Sequence, residues 1–296
     1  MAQDVATRRA GWTVYAGAAV AMVAFAANSL LTRAALDDAS IGASSFSLVR
    51  VLSGAVVLVV IAMARARSWR ALLARPVPWR SAAYLFGYVA AFSFAYLRLG
   101  AATGALVLFG TVQVVLYATA LARGERPGLS GWGGLGLAAV GLVVLVAPGV
   151  SAPDPFGVGL MVLAGVSWAA YTLAGRGAVD PITTTARNFA AAVPLALVLE
   201  LVVLLVDRSP TAASPRGLAL AVASGAIASG LGYALWYSVL PWLSRVQSGI
   251  IQMTPPPLAA VGGLLLLGEP VSLRVALASA LILAGVALGV VGGSRR

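Results

Sequence analysis

The chain has 296 residues, of which 60% are hydrophobic and 10% are charged, whereas a soluble domain carries about 25% charged residues. It contains no cysteine, histidine or lysine, which excludes thiol and imidazole chemistry, Schiff bases and most transition-metal sites, so we expect neither a metal nor a cofactor. The formal net charge of +11 comes from arginines near the ends of apolar runs, a membrane-protein pattern that argues against a nucleic-acid partner.

Ten apolar stretches follow one another along the chain, most of them close to the 20 or so residues needed to cross a bilayer core about 30 Å thick. The predicted class is therefore an all-α membrane protein with ten transmembrane helices, surrounded by lipid. The stretches cover residues 12–31, 44–63, 79–97, 101–121, 131–147, 156–175, 183–206, 217–238, 245–267 and 271–292.

The arginines predict the orientation of these spans. Ten spans place both termini on one side, and that side receives thirteen arginines, whereas the opposite side receives five. Cytoplasmic loops carry the excess of positive charge, so both termini are expected in the cytoplasm, with the protein in the bacterial inner membrane.

Polar and aromatic residues inside the spans are candidates for the lining of a substrate cavity, although many such residues only hold helices together. Trp168 is the strongest single candidate, because it lies near the middle of span six, away from the aromatic belts at the membrane surface. The other candidates, in chain order, are Asn28, Tyr84, Tyr88, Thr111, Tyr171, Tyr233, Gln252 and Pro255.

Arg50 and Arg187 are charges several residues inside spans two and seven. A charge at such a depth is costly unless its side chain reaches the membrane surface or is paired. We favour a structural role of this kind for both arginines. The alternative is that they belong to gates or attract a carboxylate group.

The ninth span contains three consecutive prolines, Pro255 to Pro257, close to its centre. Proline removes a backbone donor and interrupts a helix interior, and a non-helical turn at this depth is tolerated only inside protein or beside an aqueous cavity. One interpretation is that the prolines simply begin or kink a helix. The other, which we favour, is that the broken turn lines the substrate cavity together with Gln252, one turn earlier.

The two halves of the chain repeat each other weakly. A segment starting at residue 124 matches one starting at residue 268, and both follow a fourth span and open a fifth. Five is an odd number, so the second copy enters the membrane from the opposite side, which predicts inverted five-helix repeats over residues 1–150 and 151–296. The identities, at a constant offset of 144, are Gly124 with Gly268, Glu125 with Glu269, Leu129 with Leu273 and Gly141 with Gly285.

Ten spans in two sets of five, a Gly-Glu pair before helices five and ten, and an arginine in helices two and seven resemble the drug/metabolite transporter superfamily, EamA type. The resemblance covers essentially the whole chain. Within that superfamily the chain resembles the bacterial aromatic amino-acid exporters of the YddG kind. The resemblance implies a secondary transporter, not an enzyme, that exports small molecules by alternating access.

The substrate expected is an aromatic or other neutral amino acid, stacked on aromatic side chains and oriented by amide and hydroxyl groups. Other metabolites, nucleosides and hydrophobic drugs, including drug-like cations, are alternatives, and an intramembrane enzyme is a remote one. The cation-drug exporters of the superfamily use a glutamate in helix one, and span one here has none. This favours facilitated export down a gradient. The sequence leaves the oligomeric state open, and a monomer is plausible.

Overall fold

The computed structural model describes residues 2–66, 76–122, 129–147, 149, 152–175, 178, 180–207, 212–242, 251–252 and 254–293. Every regular element within these residues is a helix, and there are ten helical segments, which confirms the predicted all-α class and helix number. They are α1 (Ala2–Asp37), α2 (Ala43–Ala66), α3 (Trp79–Ala95), α4 (Ala101–Ala122), α5 (Leu129–Val146), α6 (Pro155–Gly175), α7 (Pro181–Val206), α8 (Pro215–Trp242), α9 (Pro255–Leu267) and α10 (Leu273–Gly293).

Six of the described helices, α1, α2, α4, α6, α7 and α8, contain a segment long and apolar enough to cross a membrane. The apolar parts of α5, α9 and α10 are shorter. Side-chain hydrogen bonds cap the first turns of several helices. Asp180 accepts a hydrogen bond from the Thr183 N–H at the start of α7, and Ser214 does the same for the Gly217 N–H at the start of α8.

The helix contacts follow the pattern of an inverted repeat. Helices α2 and α7 pack against each other, as do α5 and α10, so each pair joins corresponding helices of the two halves. Helix α3 packs on α6 as α8 packs on α1, and α4 packs on α6 as α9 packs on α1. Adding five to the number of a first-half helix, or subtracting five from that of a second-half helix, converts each pair into its counterpart. The division into residues 1–150 and 151–296 stays a prediction that this packing favours.

Gly141 and Gly285, which match at the offset of 144, both lie where α5 meets α10. A Cβ on Gly285 would lie 2.5 Å from the Ala138 nitrogen, and one on Gly141 would lie 3.0 Å from the Ile282 nitrogen. Neither backbone leaves room for a larger residue. The two glycines allow these helices to approach closely, as small residues do in membrane helix pairs.

Helix α8 covers the predicted span over residues 217–238, but it is not α-helical throughout. Its first part, Pro215–Val222, is α-helical, Ala223–Leu231 is a π-helix, and Gly232–Val239 is again α-helical. A Cβ on Gly225, within the π-helix, would overlap the Arg50 carbonyl oxygen of α2. The wide turn therefore lies directly against α2. π-Helical turns of this kind are frequent at functional sites.

Helix α9 begins at Pro255, and Gln252 and Thr254 before it are not helical, so the predicted ninth span is interrupted at the prolines. Its 13 residues extend about 20 Å, short of the bilayer core. The prolines occupy the first turn, where a missing N–H costs no helical hydrogen bond. The earlier part of the predicted span, residues 243–250, lies outside the described residues.

Candidate functional site

Side chains from five helices enclose a small cavity inside the bundle, which we call the aromatic cavity. Helices α1, α3 and α4 come from the first half of the chain, and α6 and α8 from the second. The free volume between the side chains is about 10 Å³, close to that of one water molecule. Its lining consists of Phe25, Asn28, Tyr88, Phe92, Leu108, Phe109, Trp168 and Tyr233.

Trp168 stands at the centre of the aromatic side chains, and only 5% of its surface is exposed. Its ring centroid lies 4.9 Å from that of Tyr88, 5.0 Å from Tyr233, 5.7 Å from Tyr171 and 6.0 Å from Phe25. The rings are tilted or edge-on to one another, which are favourable aromatic arrangements. The cavity can therefore offer both ring faces and ring edges to a flat apolar group.

Arg50 lies beside this cavity and is completely buried. Its Nε donates to the Ser229 hydroxyl at 3.1 Å, and one Nη donates to the Tyr88 hydroxyl at 2.9 Å. The guanidinium carbon lies 5.2 Å from the Tyr88 ring centroid and 5.0 Å from that of Phe92, within cation–π range. The other Nη has no hydrogen-bond partner among the described residues.

Asn28 connects the π-helical turn of α8 to the cavity. Its side-chain oxygen accepts hydrogen bonds from Ser224 at 2.8 Å and from Ser229 at 3.3 Å. All three side chains are buried. Since Ser229 also accepts from Arg50, a continuous hydrogen-bond network runs from the guanidinium to the cavity wall.

Comparison with known proteins shows which family this chain belongs to. The model of the EamA-like transporter family matches residues 155–291, which cover α6 to most of α10. The uncharacterized protein PA1977 of Pseudomonas aeruginosa is 49% identical over 271 residues, and the alignment covers 91% of each chain. The chain belongs to the EamA-like transporter family. A solved crystal structure aligns with 94% of this chain and 99% of its own chain, at 22% identity and with a TM-score of 0.63. This similarity shows that the two proteins share a fold.

This EamA-like chain is thus a multi-pass membrane protein from a family of small-molecule transporters, and not from a family of enzymes. The structure brings four of the predicted site residues into the lining of the aromatic cavity: Asn28, Tyr88, Trp168 and Tyr233. Their role in binding a substrate stays a prediction.

Tyr171 contacts the Trp168 ring but is not among the lining residues of the aromatic cavity. Its hydroxyl accepts a hydrogen bond from the Asn188 amide at 3.3 Å, and with Asn188 and Tyr237 it borders a second small cavity. Tyr171 therefore contacts the Trp168 ring while its hydroxyl faces the second cavity.

Besides Tyr171, four further predicted residues of the EamA-like chain lie outside the lining of the aromatic cavity. Tyr84 is half-buried one helical turn before Tyr88. Thr111 donates its hydroxyl to the Val107 carbonyl of its own helix at 2.7 Å. Gln252 and Pro255 are buried at the interruption before α9.

The two arginines that the sequence made equivalent have different surroundings. The favoured structural interpretation was that both side chains reach the membrane surface. Arg50 instead is completely buried inside the bundle. Arg187 is partly exposed, and its guanidinium donates to the Pro76 carbonyl at 2.7 Å. The difference arises because α3 and α8 cover Arg50, whereas the segment before α3 meets Arg187.

Two of the three phenylalanines of the lining, Phe25 and Phe92, lie one turn from predicted site residues but were not themselves predicted. Phe25 lies three residues before Asn28, and Phe92 lies four residues after Tyr88. Residues at these spacings share one face of a helix. Extending each polar candidate by one turn would have identified both.

A second group of charged residues joins several helix ends on the side predicted to face outward, and we call it the outer-end network. Arg33 pairs with Glu269 at 2.7 Å and with Asp37 at 2.6 Å. The guanidinium of Arg33 also donates to the Tyr96 carbonyl at 3.1 Å, and Glu269 accepts from the Ala101 N–H at 2.7 Å. The network ties α1 to the α3–α4 and α9–α10 connections of this EamA-like transporter.

Proposed function

We propose that this protein exports small metabolites across the bacterial inner membrane, with aromatic and other neutral amino acids as its substrates. The observation that supports this is the aromatic cavity, which five helices from both halves of the chain build around Trp168. Ligand sites of secondary transporters with inverted repeats lie at the interface of the repeats. Tilted aromatic rings suit a flat apolar side chain, and the nearby Asn28 suits a polar end group.

The mechanism proposed is alternating access. A free volume of about 10 Å³ does not hold an amino acid, so the lining must move apart for a substrate to enter. The outer-end network holds helix ends of both halves together on one side of the bundle. Breaking it would let those ends separate while contacts form on the opposite side. The cavity belongs to one chain, so a monomer suffices for this cycle.

We propose facilitated transport down a gradient, without proton coupling. A proton-coupled transporter needs an ionisable group that can release and take up a proton within the membrane. Among the described residues, the cavity lining contains no carboxylate. Glu200 lies on α7 away from that lining and accepts a hydrogen bond from Ser45 of α2 at 2.6 Å.

The function is tested with purified protein in liposomes preloaded with unlabelled phenylalanine. Labelled phenylalanine outside should enter faster than it enters protein-free liposomes, because counterflow needs no energy source. Labelled leucine and tryptophan extend the test to other neutral amino acids. If none of these three enters above the protein-free rate, amino-acid transport is refuted.

We also propose that both termini lie in the cytoplasm. The chain contains no cysteine, so single cysteines report the orientation directly. An impermeant maleimide added to intact cells should label Ala213→Cys, in the exposed α7–α8 connection, and should leave Ser68→Cys unlabelled. Permeabilised cells, in which both positions should react, provide the control. Labelling of Ser68→Cys from outside would reject the orientation.

A further inference from the structure

We propose that Arg50 binds a carboxylate group of the substrate, so that this transporter selects molecules with a carboxylate next to an aromatic or apolar body and rejects the corresponding amines. This inference rests on the proposed function and adds to it the charge that a substrate must carry.

The first argument is the incomplete pairing of Arg50. The side chain is completely buried, and one of its Nη atoms has no hydrogen-bond partner in the described part of the chain. The ion pairs found among those residues involve Arg33, Arg98 and Arg216, but not Arg50. A buried cation without a counter-ion is unfavourable, and buried charges in proteins are usually paired. A guanidinium matches a carboxylate in shape and charge.

The second argument is the position of the guanidinium relative to the cavity. Its two ring contacts, Tyr88 and Phe92, both belong to the cavity lining. Its hydrogen-bond partner Ser229 is bonded in turn to Asn28, a third lining residue. Only one layer of side chains therefore separates the cation from the cavity. A displacement of the Tyr88 side chain, which widens the cavity, also uncovers the guanidinium.

The third argument is the charge balance around the site. The lining residues that the structure describes carry aromatic, aliphatic and amide side chains, and none of them is acidic. An amino acid would place its carboxylate on Arg50 and its ring among the aromatic residues, leaving its ammonium group to the ring faces. An amine without a carboxylate would have the same ring faces for its ammonium group, but it would meet the repulsion of Arg50 with no carboxylate to offset it. The site therefore favours anions and zwitterions over cations.

The test compares three probes with the same ring and nearly the same length as competitors of labelled phenylalanine counterflow. Unlabelled phenylalanine and 3-phenylpropionate should inhibit, whereas phenethylamine should need at least about a tenfold higher concentration, the loss expected for a missing hydrogen bond between charged groups. Competition avoids the leak of the neutral probe forms through lipid. Equal inhibition by phenethylamine and 3-phenylpropionate would leave transport established and overturn the Arg50 inference alone. A wild-type protein that moves no labelled phenylalanine would refute the proposed function itself.

Variants separate binding from a purely structural role. Arg50→Gln should raise the inhibitory concentration of 3-phenylpropionate at least about tenfold and leave that of phenethylamine unchanged or lower. Arg50→Lys should keep part of the preference, because it retains the charge but not the planar fork. The matched control is Arg216→Gln, which removes an exposed arginine and should change nothing. An Arg50→Gln protein with the wild-type preference contradicts the inference. If Arg50→Gln does not fold, the probe series on the wild type still decides.

Discussion

Alanine in place of Glu269 is expected to loosen the outer end of the bundle and expose the aromatic cavity from that side. The carboxylate lies 2.7 Å from the Arg33 Nε and accepts the Ala101 N–H, and both ionic side chains are less than one-fifth exposed. Removing Glu269 leaves Asp37 as the only ion-pair partner of Arg33 among the described residues, and it leaves the Ala101 N–H of α4 without its acceptor. For a fully buried pair this costs about 3–5 kcal/mol, so we expect about 2 kcal/mol for this partly screened one.

The measurements are the free energy of unfolding and the labelling rate of a cysteine placed at Leu108 in the cavity lining. Leu108 is 3% exposed, so a faster reaction with a soluble maleimide reports opening. The matched control is Asp38→Ala, which breaks the pair with Arg216, whose side chain is 66% exposed. An exposed pair contributes about 0–1 kcal/mol. Equal labelling in both variants, with the Glu269→Ala protein folded, would mean that the network does not close the bundle.

Trp168→Ala is expected to have the largest effect of any single substitution in the aromatic cavity. Removing a buried tryptophan costs about 3–5 kcal/mol, and here four ring contacts disappear with it. Counterflow should fall for the same reason, because a substrate ring loses its central partner. Trp168→Phe should keep more of both, since it retains one aromatic ring.

The control for this prediction is Trp132→Ala on α5. Trp132 is 53% exposed, so its replacement should leave stability and counterflow nearly unchanged. Counterflow is measured per folded protein, after insertion and melting have been determined for each variant. A folded Trp168→Ala protein that transports at the wild-type rate would show that the tryptophan only packs the core. The same would follow if the phenylalanine and alanine variants lost activity equally.

The helix number and class could be predicted, because apolar runs of membrane length are direct evidence for helices. The π-helix of α8 could not. It depends on the contact of Gly225 with the α2 backbone, and a hydrophobic run carries no information on such a contact. The surroundings of Arg50 could not be predicted from the sequence for a related reason. Position along a helix gives depth, but the neighbours that cover one face are known only after packing.

The segment with the three prolines agrees with the sequence prediction in one respect and differs from it in another. The predicted interruption is present, yet Pro255 lies in the first turn of α9 and not in a helix interior. Replacing it with alanine is therefore not expected to give the gain of about 3 kcal/mol that applies to a proline in a helix interior. The interpretation that the prolines begin a helix describes α9. Whether the interruption borders the substrate path stays a prediction, since the lining of the aromatic cavity includes neither Pro255 nor Gln252.

The placement of Arg50 also bears on the electrical tightness of the membrane. A transporter that opens alternately to two compartments risks leaking protons and sodium ions, which would dissipate the proton-motive force. A fixed positive charge beside a constriction opposes the passage of cations and protons, as arginines do in water channels. The free volume next to Arg50 is about 10 Å³, too small for a hydrated ion. In the proposed transport cycle, we therefore expect the same buried cation that would bind a carboxylate to oppose ion leakage between transport events.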